Sequence, residues 1–247
     1  MTSPDLIEKY FTAKKTILEM VRDRNFNLGS EIKMLDPNYD LKSFKQQYVK
    51  DGELDFNLLG NDYFNSEGKL IYVEFATPTT SNTQGTGVIE EFLTRVYLRK
   101  SKVPGFMDVE QPKQKGRKKI QQDDRQIDRS IKTGILIIDK KLSPEAKTKV
   151  AAVYPFFVES FMLRQLMYNP TKHAFTPKYT ILTSEEQKKF LQENKLKIRQ
   201  LPIIRTEDPI ALYYGLHTGD IVKREITNLL TETLNTHITE HAVIDNV

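Results

Sequence analysis

The residues with the plainest chemical spacing stand near the end of the chain. His237-Ile238-Thr239-Glu240-His241 sets two imidazoles four positions apart with a carboxylate beside them. These are the letters of an inverted zinc-peptidase motif, in which two histidines on one helical turn hold the metal and the glutamate serves as base. A third protein ligand has to come from further on, and only six residues follow, Asp245 among them. Ile and Thr between the histidines favour a strand, where positions four apart share a face but lie too far apart to close a helical chelate. The competing reading is a plain terminal strand. A second cluster, Lys113, Lys115, Arg117, Lys118 and Lys119, has the charge to grip phosphates or to act as a nuclear address. Asp123, Asp124 and Asp128 dilute it, Pro112 and Gly116 oppose a continuous helix, and no aromatic side chain is interleaved for base stacking. The competing reading is a solvated loop. At Leu142-Ser143-Pro144-Glu145-Ala146, Ser143 caps a helix and Pro144 takes its first position. Free amides at that helix start, with Lys147 nearby, suit a phosphate; Glu145 opposes it, and a capped helix without a ligand is the competing reading.

Composition bounds what these groups can do. The chain has 247 residues, enough for one large or two ordinary domains, and is 38% hydrophobic. A net charge of +4 is only mildly basic, which permits a nucleic-acid partner without demanding one. With no cysteine there is no disulfide and no thiolate metal site, consistent with a reducing compartment. The first residues, Met1-Thr2-Ser3-Pro4-Asp5, lack a basic segment followed by an apolar run. No apolar stretch approaches the roughly 18 residues that span a bilayer. The expectation is an intracellular protein without a membrane segment.

The elements that must position the candidates follow from periodicity. Leu6, Ile7, Tyr10, Phe11, Ile17, Leu18 and Val21 recur at helical spacing, predicting a first helix that ends near Asn25. A short helix begins after Asp40 with Leu41, Phe44 and Tyr48 on one face. Lys69 to Ala76 reads as a strand, Thr77 to Gly87 as a loop, and Val88 to about Lys102 as a helix. Val103 to Lys132 is polar and nearly patternless, and is expected to be a flexible basic insert. Gly134 to Asp139 reads as a central strand and Phe161 to Tyr168 as a further one. Asn169-Pro170-Thr171 then breaks the pattern, placing a domain boundary between 170 and 171.

The last third is dense in backbone devices. Thr183 with Glu186 forms a capping box for a helix that turns Phe190 and Leu191 inward. Gln200-Leu201-Pro202 ends in an extended conformation, because a residue before proline avoids the helical region. Asp208 caps and Pro209 opens a short helix that Gly215 stops in the left-handed conformation. A tight turn through Gly219 leads into a strand from Ile221 to Ile226.

In that order, His173, Pro177-Lys178, Gln200-Leu201-Pro202, Asp208-Pro209, Tyr213, Gly215, Gly219 and Val222-Lys223 resemble the fifth shared subunit of eukaryotic DNA-directed RNA polymerases. The same residues are similar to its small archaeal counterpart, which corresponds to the C-terminal domain alone. Glu19 to Arg24, Leu41, Phe44-Lys45, Tyr48 and Val73-Glu74-Phe75 are similar to the eukaryotic family's N-terminal domain. The sequence departs from the family at Tyr179, at Ile203, and through the block from Thr231 to His241. These departures point to a viral homologue or an early-branching eukaryote.

The resemblance implies an α/β (α+β) fold. A jaw-like domain over 1–170 has a restriction-endonuclease-like core and carries the 103–132 insert. A compact assembly domain over 171–247 has a small mixed sheet and two helices. It implies a non-catalytic transcription subunit without cofactor, metal or small-molecule substrate, the active site lying in other subunits. His173, Pro177, Lys178, Gln200, Leu201, Pro202, Asp208, Pro209, Tyr213, Gly215, Gly219, Val222 and Lys223 would serve the interface with the largest subunit. Ser143, Pro144 and Lys147 would touch phosphates of downstream duplex DNA. The location would be the nucleus, or the virion and cytoplasmic factory of a virus. Two alternatives stay open: a free-standing regulator that docks on polymerase, and a metal-dependent nuclease. For the nuclease, Glu67-Gly68-Lys69 fits a Glu-x-Lys motif but has turn composition, while Glu74 on the strand is followed by Ala76 rather than lysine.

Overall fold

The computed structural model describes residues 4–98, 131–152, 157–173, 175–227 and 237–245. The chain divides into two compact units. One is Met1–Phe11 with Asn25–Gln165; the other is Thr12–Arg24 with Leu166–Val247. The first helix, α1 (Pro4–Asp23), is therefore shared between them. Its apolar stripe does what the spacing requires, with Ile7, Tyr10, Ile17, Leu18 and Val21 all buried. The chain leaves it through Asn25 at φ 66°, the left-handed conformation that asparagine tolerates. Among the described residues no helix is long and apolar enough to cross a membrane.

The first unit continues with β1 (Phe26–Asn27), a 3-10 turn (Gly29–Leu35), α2 (Leu41–Tyr48), β2 (Val49–Lys50), β3 (Glu53–Leu54), α3 (Phe56–Leu59), β4 (Asn61–Asn65), β5 (Leu70–Phe75), α4 (Thr86–Leu98), β6 (Ile131–Ile138), α5 (Pro144–Ala151) and β7 (Phe157–Met162). Asp40 caps α2 by accepting from the Ser43 amide at 2.9 Å. The face expected from Phe44 and Tyr48 is buried, with their rings 4.8 Å apart. Between β2 and β3, Asp51 and Gly52 both have positive φ, the two-residue hairpin turn that an Asp-Gly pair favours.

The main sheet runs β1-β4-β5-β6-β7. β1, β4 and β5 pair antiparallel; β5, β6 and β7 pair parallel, which requires the crossovers supplied by α4 and α5. Alternation along the strands sends Tyr72, Leu136 and Ile138 to one face, where Ile89 and Phe92 of α4 and Ala146 of α5 cover them. Gly134 marks where helix and sheet approach closest, since a Cβ there would lie 2.6 Å from the Phe92 ring. On α1, Tyr10 packs edge-on against Phe56 and Phe75.

In the second unit, β8 (Lys178–Ile181), α6 (Ser184–Glu193), β9 (Ile203–Arg205), α7 (Pro209–Tyr214), β10 (Ile221–Thr227) and β11 (His237–Asp245) form a mixed sheet ordered β8-β10-β11-β9 with two helices. Only the β11–β9 pair is parallel. The Thr183–Glu186 capping box is complete at the start of α6. Leu201, Ile221 and Val243 form the core beneath Phe190 and Leu191.

Several expected boundaries move. The strand expected over 134–139 is β6 at Ile131–Ile138. The strand expected over 161–168 is β7 at Phe157–Met162, followed by a 3-10 turn at Leu163–Leu166. Its partner β6 ends at Ile138 opposite Met162, so later residues have nothing to pair with, and the Gln165 side chain caps the Met162 amide instead. The helix expected from Val88 starts at Thr86. The expected insert 103–132 lies outside the described residues except for Ile131 and Lys132, which already belong to β6.

Candidate functional site

Two constellations carry the residues singled out by sequence, one in each unit. In the first unit the corner between β6 and α5 is built as expected. The Ser143 hydroxyl accepts from the Ala146 amide at 3.2 Å and Pro144 occupies the first turn. Lys147 is exposed one turn on, its amide bonded to the Ser143 carbonyl. The corner is also tied to the loop before α4. The Gln84 amide donates to the Lys141 carbonyl, and the Ser143 amide donates to the Gln84 carbonyl, both at 2.9 Å. This pins the helix start to a second segment and holds Ser143 in position. Nothing local to Gln84 marks its part, because the bridge joins residues far apart in the chain.

In the second unit the C-terminal residues and the last turns of α1 share one hydrogen-bond network. Tyr213 is buried; its hydroxyl donates to Asp23 at 2.7 Å and accepts from the Asn169 side chain at 3.0 Å. Burial first, then the Asp23 carboxylate, pushes that hydroxyl above the ordinary tyrosine range. Asn169 also donates to Glu19 at 2.8 Å, and Lys172 pairs with the same carboxylate. Arg24 donates to the Leu212 carbonyl at 2.7 Å and the Tyr213 carbonyl at 2.9 Å. Those are carbonyls of the last turn of α7, at the negative end of its dipole; the Leu212 carbonyl also accepts from the Gly215 amide at 3.2 Å. Glu19, Asp23, Arg24 and Asn169 were not among the sequence-derived site residues. The signal available was polar side chains on a helix end whose neighbours are apolar and buried.

The remaining candidates sort by burial. Leu201, Tyr213 and Val222 are buried and shape the surface from beneath. Asp208 caps α7 through the Ile210 amide at 2.8 Å, Pro209 opens it, and Gly215 closes it at φ 64°. Gly219 turns at φ 96° and donates to the Ile244 carbonyl. The Gln200 side chain closes its own turn on the Lys197 amide, and the Pro202 carbonyl accepts from Val243. Exposed His173 lies tilted against Phe175, half-buried Pro177 leads into β8, Lys178 is exposed at the start of that strand, and Lys223 pairs with Glu225 at 3.1 Å.

The metal-binding alternatives find other placements. His237 and His241 stand on β11, opposite Thr227 and Lys223. Four residues of strand span about 13 Å, too long for a helical-turn chelate. Glu67 lies in a turn with Gly68 at φ 76°; its side chain is 64% exposed and pairs with Lys69. Glu74 is buried on β5, accepting from Tyr72 at 2.7 Å and from Arg95 at 2.6 Å. Its charge is met by a guanidinium rather than held open for a cation. Asp139 sits in the bend after β6. Among the described residues no group of three or more His, Asp or Glu is placed to hold a metal ion. The basic run 113–119 lies outside the described residues.

Fold and network together define a two-unit α/β protein in which most of the marked residues serve caps, turns and core. The comparisons give the class its family. Residues 5–96 match the family model of the RNA polymerase Rpb5 N-terminal domain, and residues 168–239 match that of the Rpb5 C-terminal domain. The chain belongs to the RNA polymerase Rpb5 family. It is 26% identical over 235 residues to subunit 5B of DNA-directed RNA polymerases IV and V of Arabidopsis thaliana, covering 95% of this chain and 89% of the relative. It is 35% identical over 97 residues to subunit RPABC1 of DNA-directed RNA polymerases I, II and III of Caenorhabditis elegans, covering 39% of this chain and 46% of the relative. The corresponding Dictyostelium discoideum subunit is 37% identical over 99 residues, covering 39% of this chain and 50% of that relative.

Proposed function

We propose that this chain is a non-catalytic subunit of a multisubunit DNA-directed RNA polymerase. Its C-terminal domain (171–247) anchors on the largest subunit, and its N-terminal domain (1–170) lines the downstream DNA. Catalysis, its metal ions and its nucleotide belong to other subunits, and the working location is the nucleus or, for a viral chain, the virion and cytoplasmic factory. The observation that carries this is the match to both family domains, in order, on one chain. The build of the second unit supports it. Most of its marked residues are spent on caps, turns and core, which gives a rigid surface at little ordering cost on binding.

The DNA role rests on the Ser143 corner, where a capped helix start and exposed Lys147 suit phosphate without reading bases. The test uses polymerase purified from cells carrying the tagged chain. The chain should bring down the two largest subunits and resist high salt. In complexes carrying Lys147→Glu, the slope of log DNA affinity against log salt should fall by about one phosphate contact, roughly 0.9. An unchanged slope removes the DNA contact from the account. Loss of the large subunits in high salt favours a loosely docked regulator.

A further inference from the structure

In the second unit, β9 is an edge of the sheet, paired on one side only with β11. The register and one bond fix which of its main-chain groups are used. The Val243 amide donates to the Pro202 carbonyl, with Val243 opposite Ile203. In a parallel ladder this leaves the amide and carbonyl of Ile203, and the amide of Arg205, pointing away from β11. Among the described residues those three groups have no hydrogen-bond partner. The Arg205 carbonyl is already used by the Asp208 amide.

Side chains on the sheet face that adjoins this edge add to the pattern. A surface cavity of about 480 Å³ is lined by Ile203, Ile204 and Arg205 of β9, by Arg224 of β10 and Tyr179 of β8 across the sheet, and by Glu207 and Asp208 at the turn beyond. Ile203 is 52% exposed, a large aliphatic side chain at an open edge. Arg224 holds the Tyr179 hydroxyl. Arg205 is exposed, and among the described residues its guanidinium makes no ion pair or hydrogen bond. Asp208 cannot serve it freely, since its carboxylate caps α7.

We propose that the β9 edge is a docking site for a short extended segment of a partner polypeptide, which adds as a strand against Ile203 and Arg205, sets an apolar side chain on Ile203 and sets a carboxylate on Arg205. Main-chain bonds would supply affinity and the two alternate side chains would supply register, as in other cases of strand addition. The arginine fork matches a carboxylate in two parallel bonds. The strand is short and ends in a charge, the usual protection of an edge against indiscriminate pairing, so the site suits a few residues rather than a long ladder. The inference rests on the reading of this unit as the polymerase-docking module and names how it docks.

The test uses the full chain, tagged and expressed in the cells that carry it, with the two largest polymerase subunits quantified after a high-salt wash. Ile203→Pro removes the outward amide while leaving the β11 ladder intact. Arg205→Glu reverses the charge, and Arg205→Lys keeps charge without the fork. Arg205→Glu should lower retention about tenfold and Ile203→Pro about fivefold. Arg205→Lys should fall between wild type and Arg205→Glu. Thermal unfolding of each variant checks the fold, and Arg205, being exposed, leaves one variant informative if Ile203→Pro fails to fold. Wild-type retention with unaffected folded variants overturns the docking edge and leaves the subunit reading standing. Failure of the wild type to retain polymerase overturns both. Self-association of the purified chain that Ile203→Pro abolishes would assign the edge to a second copy and overturn the proposal.

Discussion

Arg24→Ala is the sharpest test of how the second unit is held together. Among its bonds the guanidinium donates 2.7 Å to the Leu212 carbonyl and 2.9 Å to the Tyr213 carbonyl, at the end of α7. Each such bond is worth about 1.5–3 kcal/mol when its partner is left dry. Arg24 is only half-buried, so water recovers part of the loss, and the expected cost is about 2–3 kcal/mol. The assay is native-state hydrogen exchange of the Leu212, Gly215 and Leu216 amides, which are bonded within this end of the helix. Their exchange should speed up roughly 30- to 150-fold. Arg24→Lys keeps the charge near the helix C-terminus but cannot reproduce the fork, so it should lie midway. Acceleration below threefold in Arg24→Ala, or full equivalence of lysine, would refute the assignment of Arg24 as the clamp on α7.

Three further outcomes follow from the first unit and from the tyrosines. Gly134→Ala puts a methyl 2.6 Å from the Phe92 ring and should cost about 1–3 kcal/mol in urea unfolding; a neutral result would mean that α4 yields freely. Glu31 accepts from Tyr48 at 3.0 Å and from Tyr63 by a shorter bond, so Glu31→Gln turns one hydroxyl toward an amide donor and should cost about 1–3 kcal/mol, with equal midpoints arguing against the pair. Desolvation raises Tyr10, Tyr48, Tyr63 and Tyr213, with Asp139 adding for Tyr10, Glu31 for Tyr48 and Tyr63, and Asp23 for Tyr213. Above pH about 10 the unfolded chain sheds these protons while the folded chain keeps them. Stability should therefore be intact below that pH and fall above it, seen as phenolate absorbance appearing together with unfolding. Titration of all eleven tyrosines in one step before unfolding would contradict it.

Much of the local structure was legible because each signal is short-range. Asp40 before α2, Ser143-Pro144 before α5, the Thr183–Glu186 box and Asp208-Pro209 before α7 all satisfy backbone amides a few residues away. Gly215 and Asn25 were readable for the same reason, since left-handed backbone favours few residue types. Strand ends were less legible. β7 stops where β6 stops, and nothing within Phe161 to Tyr168 reports that. The Asp51-Gly52 hairpin is a local signal too, but its two flanking strands are only two residues each, too short to show an alternating pattern. The network of Glu19, Asp23 and Arg24 with Asn169 and Tyr213 was not readable, because its members lie well over a hundred positions apart. It gives a physical reason for the resemblance of Glu19 to Arg24 to the family. These residues are bonded to the C-terminal unit, and two compact units defined by contact do not follow the order of the chain.

The central claim is that this chain works as a stoichiometric part of a polymerase. The most direct measurement is absolute quantification of the untagged chain and the two largest polymerase subunits across a salt gradient and a sizing column, from native material. A constant ratio of one chain per largest subunit, held through high salt, is the predicted result. Elution of the chain apart from those subunits, at its own mass and in excess of them, would contradict the account.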